Sequence, residues 1–208
     1  MLERVTLLLL VTLLARGAAS ASAMDMHAGG SQLILSGFIN RADYAKFLSA
    51  LTPAVKTVVL TNSPGGARLT GQYIAHEIRR RGLATVASGR CFSSCANLFL
   101  GGTERKLANA TSYLAFHSNY TDHSGNPSAA HMDELASFYA EMVPKLPSAI
   151  IQLFLAKRQN AFVAFFKSMT RNCEGTEPKR PGDCPTLPIT ALEVGILTSL
   201  EDVDVSGH

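Results

Sequence analysis

The sequence lacks any apolar run long enough to span a membrane. Its longest, Val5 to Ala15, is about half of what a spanning helix needs, and Arg16 ends it. Charge of one sign is also scarce. Nineteen Lys and Arg against sixteen Asp and Glu leave a net charge of +3, too weak a balance to imply nucleic acid. The one dense basic run, Arg79-Arg80-Arg81, falls in the last turn of a predicted helix closed by Gly82, where cations suit the helix dipole and solvent. No glycine-rich phosphate loop is present. His123 and His131 fall in a loop and on a helix without ligand spacing, and Cys91 and Cys95 are not in Cys-x-x-Cys spacing. The reading therefore holds no cofactor, no metal and no internal repeat.

What is there begins with residues 1–23. Arg4 gives a positive start, Val5 to Ala15 an apolar core, and Ala21-Ser22-Ala23 a small-residue cleavage site. This is the pattern of a secretory signal cut after Ala23, rather than a stable membrane anchor. It predicts one mature domain, 24–208, working in the periplasm or secreted, where disulfides persist. The four cysteines, an even count, agree with export. Cys173 and Cys184 bracket an irregular loop with little apolar material, which predicts a bridge there. Cys91 and Cys95 then pair by default, although four cysteines allow three connectivities.

Strand and helix alternate along the mature chain. Strands are predicted at 33–39, 55–61, 83–88 and 112–118, and helices at 41–51, 67–81 and 94–100. Leu69, Tyr73, Ile74 and Ile78 mark one face of the 67–81 helix. Ser124-Gly125-Asn126-Pro127 reads as a loop, and helices then dominate to Thr170, broken near Pro144 and Pro147. Residues 172–188 should be irregular. Thr190 and Glu193 have capping-box spacing for a last short helix, and 196–205 reads as a closing strand. The pattern predicts an α/β fold with largely parallel pairing.

Two junctions carry the chemistry. Pro64-Gly65-Gly66 follows an apolar strand and leads at once into a helix. Two glycines suggest that something approaches the backbone there. In "SGRCFSSCANLFLGG" (88–102), Ser93 and Ser94 sit where strand turns into helix. The first helical N–H groups there can hold developing negative charge, although a serine at such a place can also simply cap the helix. His117 ends the strand "SYLAFHS" on the side away from Leu114 and Phe116. Asp183 lies in the Cys- and Pro-rich loop.

Together these segments resemble the proteolytic subunit of Clp protease, in the Clp/crotonase superfamily. The resemblance covers residues 33–120 and 183–200. Asn62-Ser63-Pro64-Gly65-Gly66 matches the family's glycine turn, and Gly89 stands four residues before Ser93, the family's offset for its nucleophile. His117 ends the next strand, and Asp183 lies twelve residues before Gly195, where the family carries its acid. The resemblance implies a spiral of strand-strand-helix units. It also implies a triad of Ser93, His117 and Asp183, with backbone N–H groups of Gly66 and Ser94 as the oxyanion hole. A peptide or unfolded-protein substrate would lie beside the Gly-Gly strand. The family forms rings, and Phe154, Phe162, Phe165 and Phe166 exceed what one small core readily absorbs, so a homo-oligomer is expected.

The resemblance implies a serine-type peptidase. Export removes the ATP supply of an unfoldase, which makes it ATP-independent. Two rival readings stand beside it. One is a Clp-like binding or structural module without activity, since Cys91, Phe92 and Cys95 replace the family's usual small residues around the serine. The other is an acyl-CoA enzyme of crotonase type, which export counts against.

Overall fold

The computed structural model describes residues 23–118, 128–158, 160–175 and 177–205. The predicted signal segment, the 124–127 loop and His123 lie outside them, except for Ala23. One sheet organises the chain. Its centre is β2 (Gln32–Ile39), β3 (Thr57–Gly66) and β4 (Ala84–Phe92), paired in parallel. The first half of β4 also pairs with β5 (Arg105–Leu107) and its end with β6 (Tyr113–Phe116), both in parallel. Antiparallel strands flank this centre. β1 (Asp25–Gly29) lies on β2, and β7 (Phe162–Phe165), β8 (Thr170–Cys173) and β9 (Thr186–Leu187) follow β6 in turn.

The helices are α1 (Asp43–Ala50), α2 (Arg68–Arg80), α3 (Ser94–Phe99), α4 (Ala129–Met142) and α5 (Ser148–Ala156). The buried face of α2 differs from the expectation. Leu69 and Tyr73 are exposed, whereas Thr70, Gly71, Ile74, Ala75 and Ile78 are buried. Small residues win that face because α3 comes so close: a methyl at position 71 would lie 2.8 Å from the Ser94 carbonyl oxygen. Nor is the basic run only a solvated helix end. Arg79 turns inward and donates to the carbonyls of Leu100, Gly101 and Met142, closing the end of α3. Arg80 and Arg81 grip Glu77 and hold its carboxyl at a pKa of about 2.

Three further expectations change. Residues 162–165 form a strand where helix is expected, and 170–173 a second one where the helix should end and the irregular stretch begin. Phe162 and Ala164 face one apolar cluster and Val163 and Phe165 the main core, so both faces are buried. Such a run carries no alternation to read. Residues 196–205 do not join the sheet as a strand; they attach at points such as Thr198 N–H to Arg105 O and Val203 N–H to Ala108 O. Thr190 and Glu193 do exchange capping-box hydrogen bonds, but over a turn rather than a helix. Three of the phenylalanines offered as a reason for oligomerisation, Phe154, Phe162 and Phe165, are buried within the chain, Phe154 stacked on Phe116 and Phe165 edge-on to it, and Phe166 is half-buried. Among the described residues no helix is long and apolar enough to cross a membrane.

Candidate active site

Strand β3 does not stop at Thr61 but continues through the glycine turn to Gly66, with its register slipping between Thr61 and Ser63. Each residue of the turn has work there. Asn62 Oδ1 accepts the Arg90 N–H, tying β3 to β4. The buried Ser63 hydroxyl donates to the Gly37 carbonyl at 2.7 Å and accepts the Gly65 N–H at 3.2 Å. Gly65 and Gly66 both have positive φ, at 88° and 144°. A methyl on Gly65 would lie 2.5 Å from the Phe92 carbonyl oxygen and 2.9 Å from Ser94 N, and a methyl on Gly66 would run into the Ile39 carbonyl. Gly65, rather than Gly66, is thus the glycine that lets the turn approach Ser93 and Ser94. Gly66 is glycine because β2 is packed against it.

Ser93 stands at the N-cap of α3 with φ 58°, a left-handed conformation that non-glycine residues seldom adopt. Its N–H donates to the Ala115 carbonyl at 2.8 Å, which fastens the turn to β6. Its hydroxyl makes no cap hydrogen bond, so the simple capping role does not account for it. Ser94 is different. It is buried, and its hydroxyl donates to the Gly66 carbonyl at 2.8 Å, joining the two turns. A disulfide between Cys91 and Cys95, both fully buried, brackets the Ser93 turn.

His117 follows β6 on the side away from Leu114 and Phe116, which belong to the main core. Its ring packs on Phe92, with centroids 4.8 Å apart, and Phe92 packs on Phe162. Burial lowers the imidazole from its ordinary 6.5 to about 4. Its buried Nδ1 has no hydrogen-bond partner among the described residues.

The structure does not join Asp183 to His117. Asp183 closes a 3-10 turn, Pro181–Asp183, and its exposed carboxylate pairs with Arg180 at 3.0 Å. The neighbouring Cys184 is bonded to Cys173, and that disulfide lies in the apolar cluster with Phe162 and Ala115. The loop is therefore anchored near His117 by sulfur and aromatic contacts while its acid faces out. Phe92 and Asn62 stand in the matched segments, but the sequence assigns neither a role of its own. Asn62 lies inside the glycine motif and had a signal to be followed; Phe92 packs on His117 only through tertiary contact.

No family model matches the sequence, and no curated protein matches it. Solved structures do. One is a serine-to-alanine mutant of the 1510-N membrane-bound stomatin-specific protease, at TM-score 0.53 and 12% identity, covering 83% of this chain and 78% of that one. Another is a lysine-to-alanine mutant of the same protease in complex with a substrate peptide, at TM-score 0.53 and 13% identity, covering 84% and 75%. At such identity the likeness is one of fold. The chain has a mixed α/β fold with a parallel centre to its sheet, similar to the fold of that protease.

Proposed function

We propose that this protein is an exported, ATP-independent serine peptidase acting on peptides or loosened chains. Ser93 is the nucleophile and His117 the base that takes and returns its proton. Backbone N–H groups of Ser94 and Gly66 hold the oxyanion, each such donor being worth about 2.7–4 kcal/mol of barrier. The observation that carries the reading is the contrast between two adjacent hydroxyls: that of Ser94 is spent on Gly66, whereas that of Ser93 makes no cap bond on its left-handed turn. Likeness to a protease seen with a substrate peptide supports the substrate class. Asp183, as oriented here, contributes little to the chemistry.

A second reading is the inactive binding module. It is favoured by the orphaned Nδ1 of His117 and by its low basicity, which makes a weaker general base near neutral pH. Labelling of the purified mature protein with a serine-directed fluorophosphonate separates the two. The peptidase reading expects labelling in the wild type and in Ser94→Ala, and none in Ser93→Ala. A folded wild type that takes no label establishes the binding module instead.

A further inference from the structure

Asp43 is a deeply buried acid. It is 1% exposed, and its Oδ2 accepts two backbone N–H groups, Asn40 at 2.6 Å and Met24 at 3.3 Å. Among the described residues no Lys, Arg or His forms an ion pair with it. Lys46, one turn further along α1, spends its ammonium on the Met24 carbonyl at 2.6 Å. Acidic side chains this deeply buried are normally paired with a charge. The turn that leads into α1, in which the Asp43 N–H also donates to the Asn40 carbonyl at 3.2 Å, explains the bond from Asn40 but not the one from Met24.

The atom that lies against Asp43 is the nitrogen that a cut after Ala23 would release. Met24 is fully buried, while Ala23 beside it is exposed and held by an isolated bridge to Phe38. We propose that this is a seat for the mature amino terminus. Water, delivered by a signal-type endopeptidase, adds across the Ala23–Met24 bond. Ala23 leaves with the carboxylate, and the Met24 amine takes up a proton. The resulting ammonium then pairs with Asp43 where a neutral amide stood before. The exposed side left by Ala23 gives its remaining hydrogens access to water.

The seat touches the frame of the candidate active site. Asn40 directly follows Ile39, which pairs with Gly66 and accepts the Ala67 N–H at 2.8 Å. Fixing Asn40 through Asp43 steadies the strand end against which the glycine turn rests. Processing thereby reports on the far side of one strand from Ser93, and export and ordering of the turn become coupled. The inference rests on cleavage after Ala23, but not on Ser93 being active.

The test uses the full chain, expressed with its own leader in an exporting bacterium and purified after processing. Mass spectrometry first reads the amino terminus; any residue but Met24 overturns the processing reading and the seat with it. An amine-reactive acylating reagent near pH 7 is then applied to the native and the denatured protein, with peptide mapping of the terminal amine. At least tenfold slower acylation in the native protein is expected, and equal rates overturn the seat although the cut is confirmed. Asp43→Asn, if it folds, should recover most of that tenfold. If it does not fold, the wild-type comparison still decides.

Discussion

Ser93 and Asp183 stand in turns of opposite character. The Ser93 turn lies between two parallel strands, is bracketed by a fully buried disulfide, and is fastened by main-chain bonds to β6 and by Ser94 to the glycine turn. The Asp183 turn lies in an irregular loop whose cysteine is anchored in an apolar cluster while its acid pairs with a surface arginine. One half of the machinery is made of backbone and cannot move far without breaking the sheet. The other half depends on where a side chain points, and its loop is held by contacts that do not involve that side chain. On the proposed reading, binding of a carbonyl next to Ser93 is the better-built function, and acid assistance the weaker one.

The largest effect that would sharpen this contrast is expected at His117. If it is the base, His117→Ala should lower turnover of a fluorogenic peptide by on the order of 10^4 or more, about as much as Ser93→Ala, and the double variant should be little worse than either. Additive losses would break the unit apart.

The glycine turn comes next. Gly66→Ala should destabilise the protein by about 1–3 kcal/mol, or prevent folding, because the methyl meets the Ile39 carbonyl and the positive φ disfavours any side chain. A mere loss of turnover with stability unchanged would contradict the packing seen here. Gly65→Ala should combine a similar loss of stability with loss of fluorophosphonate labelling. Thermal melts beside labelling rates distinguish the two positions.

The two disulfides test the halves directly. By loop entropy, removing Cys173–Cys184 should cost about 3 kcal/mol and removing Cys91–Cys95 about 2 kcal/mol. Labelling of Ser93 should follow the opposite order, because only Cys91 and Cys95 bracket the turn of the proposed nucleophile. Urea melts of the paired alanine variants, with labelling rates, would reverse the comparison if Cys173–Cys184 mattered more for both.

The acid side also shows in the pH profile. With the imidazole lowered to about 4, His117 stays neutral in the native state at pH values where the unfolded chain, near 6.5, takes up a proton. The unfolded state then binds more protons, so stability is fully present above about 6.5 and declines as pH falls toward 4. The acid limb of kcat/KM should lie near 4 as well. A limb near 6.5 that vanishes in Asp183→Asn would show the acid engaged after all. The smallest expected effect is that of Asp183→Asn itself, less than about twofold in turnover and under about 1 kcal/mol in stability, as for an exposed ion pair.

The central strands β2, β3, β4 and β6 and the helices between them were legible because each alternates with a helix whose local pattern stands on its own residues. The glycine turn and the Ser93 junction were legible for a related reason: φ values and close backbone approach restrict residue type, and that restriction is written locally. β7 and β8 were not legible, since the run from Phe162 to Phe165 is buried on both faces and carries no period. The exposed Leu69 and Tyr73 could not be foreseen either, because α2 turns its small residues toward α3 only once the two helices meet. Counting back from Gly195 located Asp183 in the chain but not the direction of its carboxylate.

By itself the sequence determined where the backbone must bend, since glycine pairs, a serine at a strand-to-helix junction and cysteines four apart leave few local conformations open. Tertiary structure alone decided which hydroxyl is spent and which acid is turned away. It also decided that Met24 and Asp43 meet, nineteen residues apart in the chain. Those outcomes depend on partners brought together by the sheet, and no local pattern records a partner that folding has yet to supply.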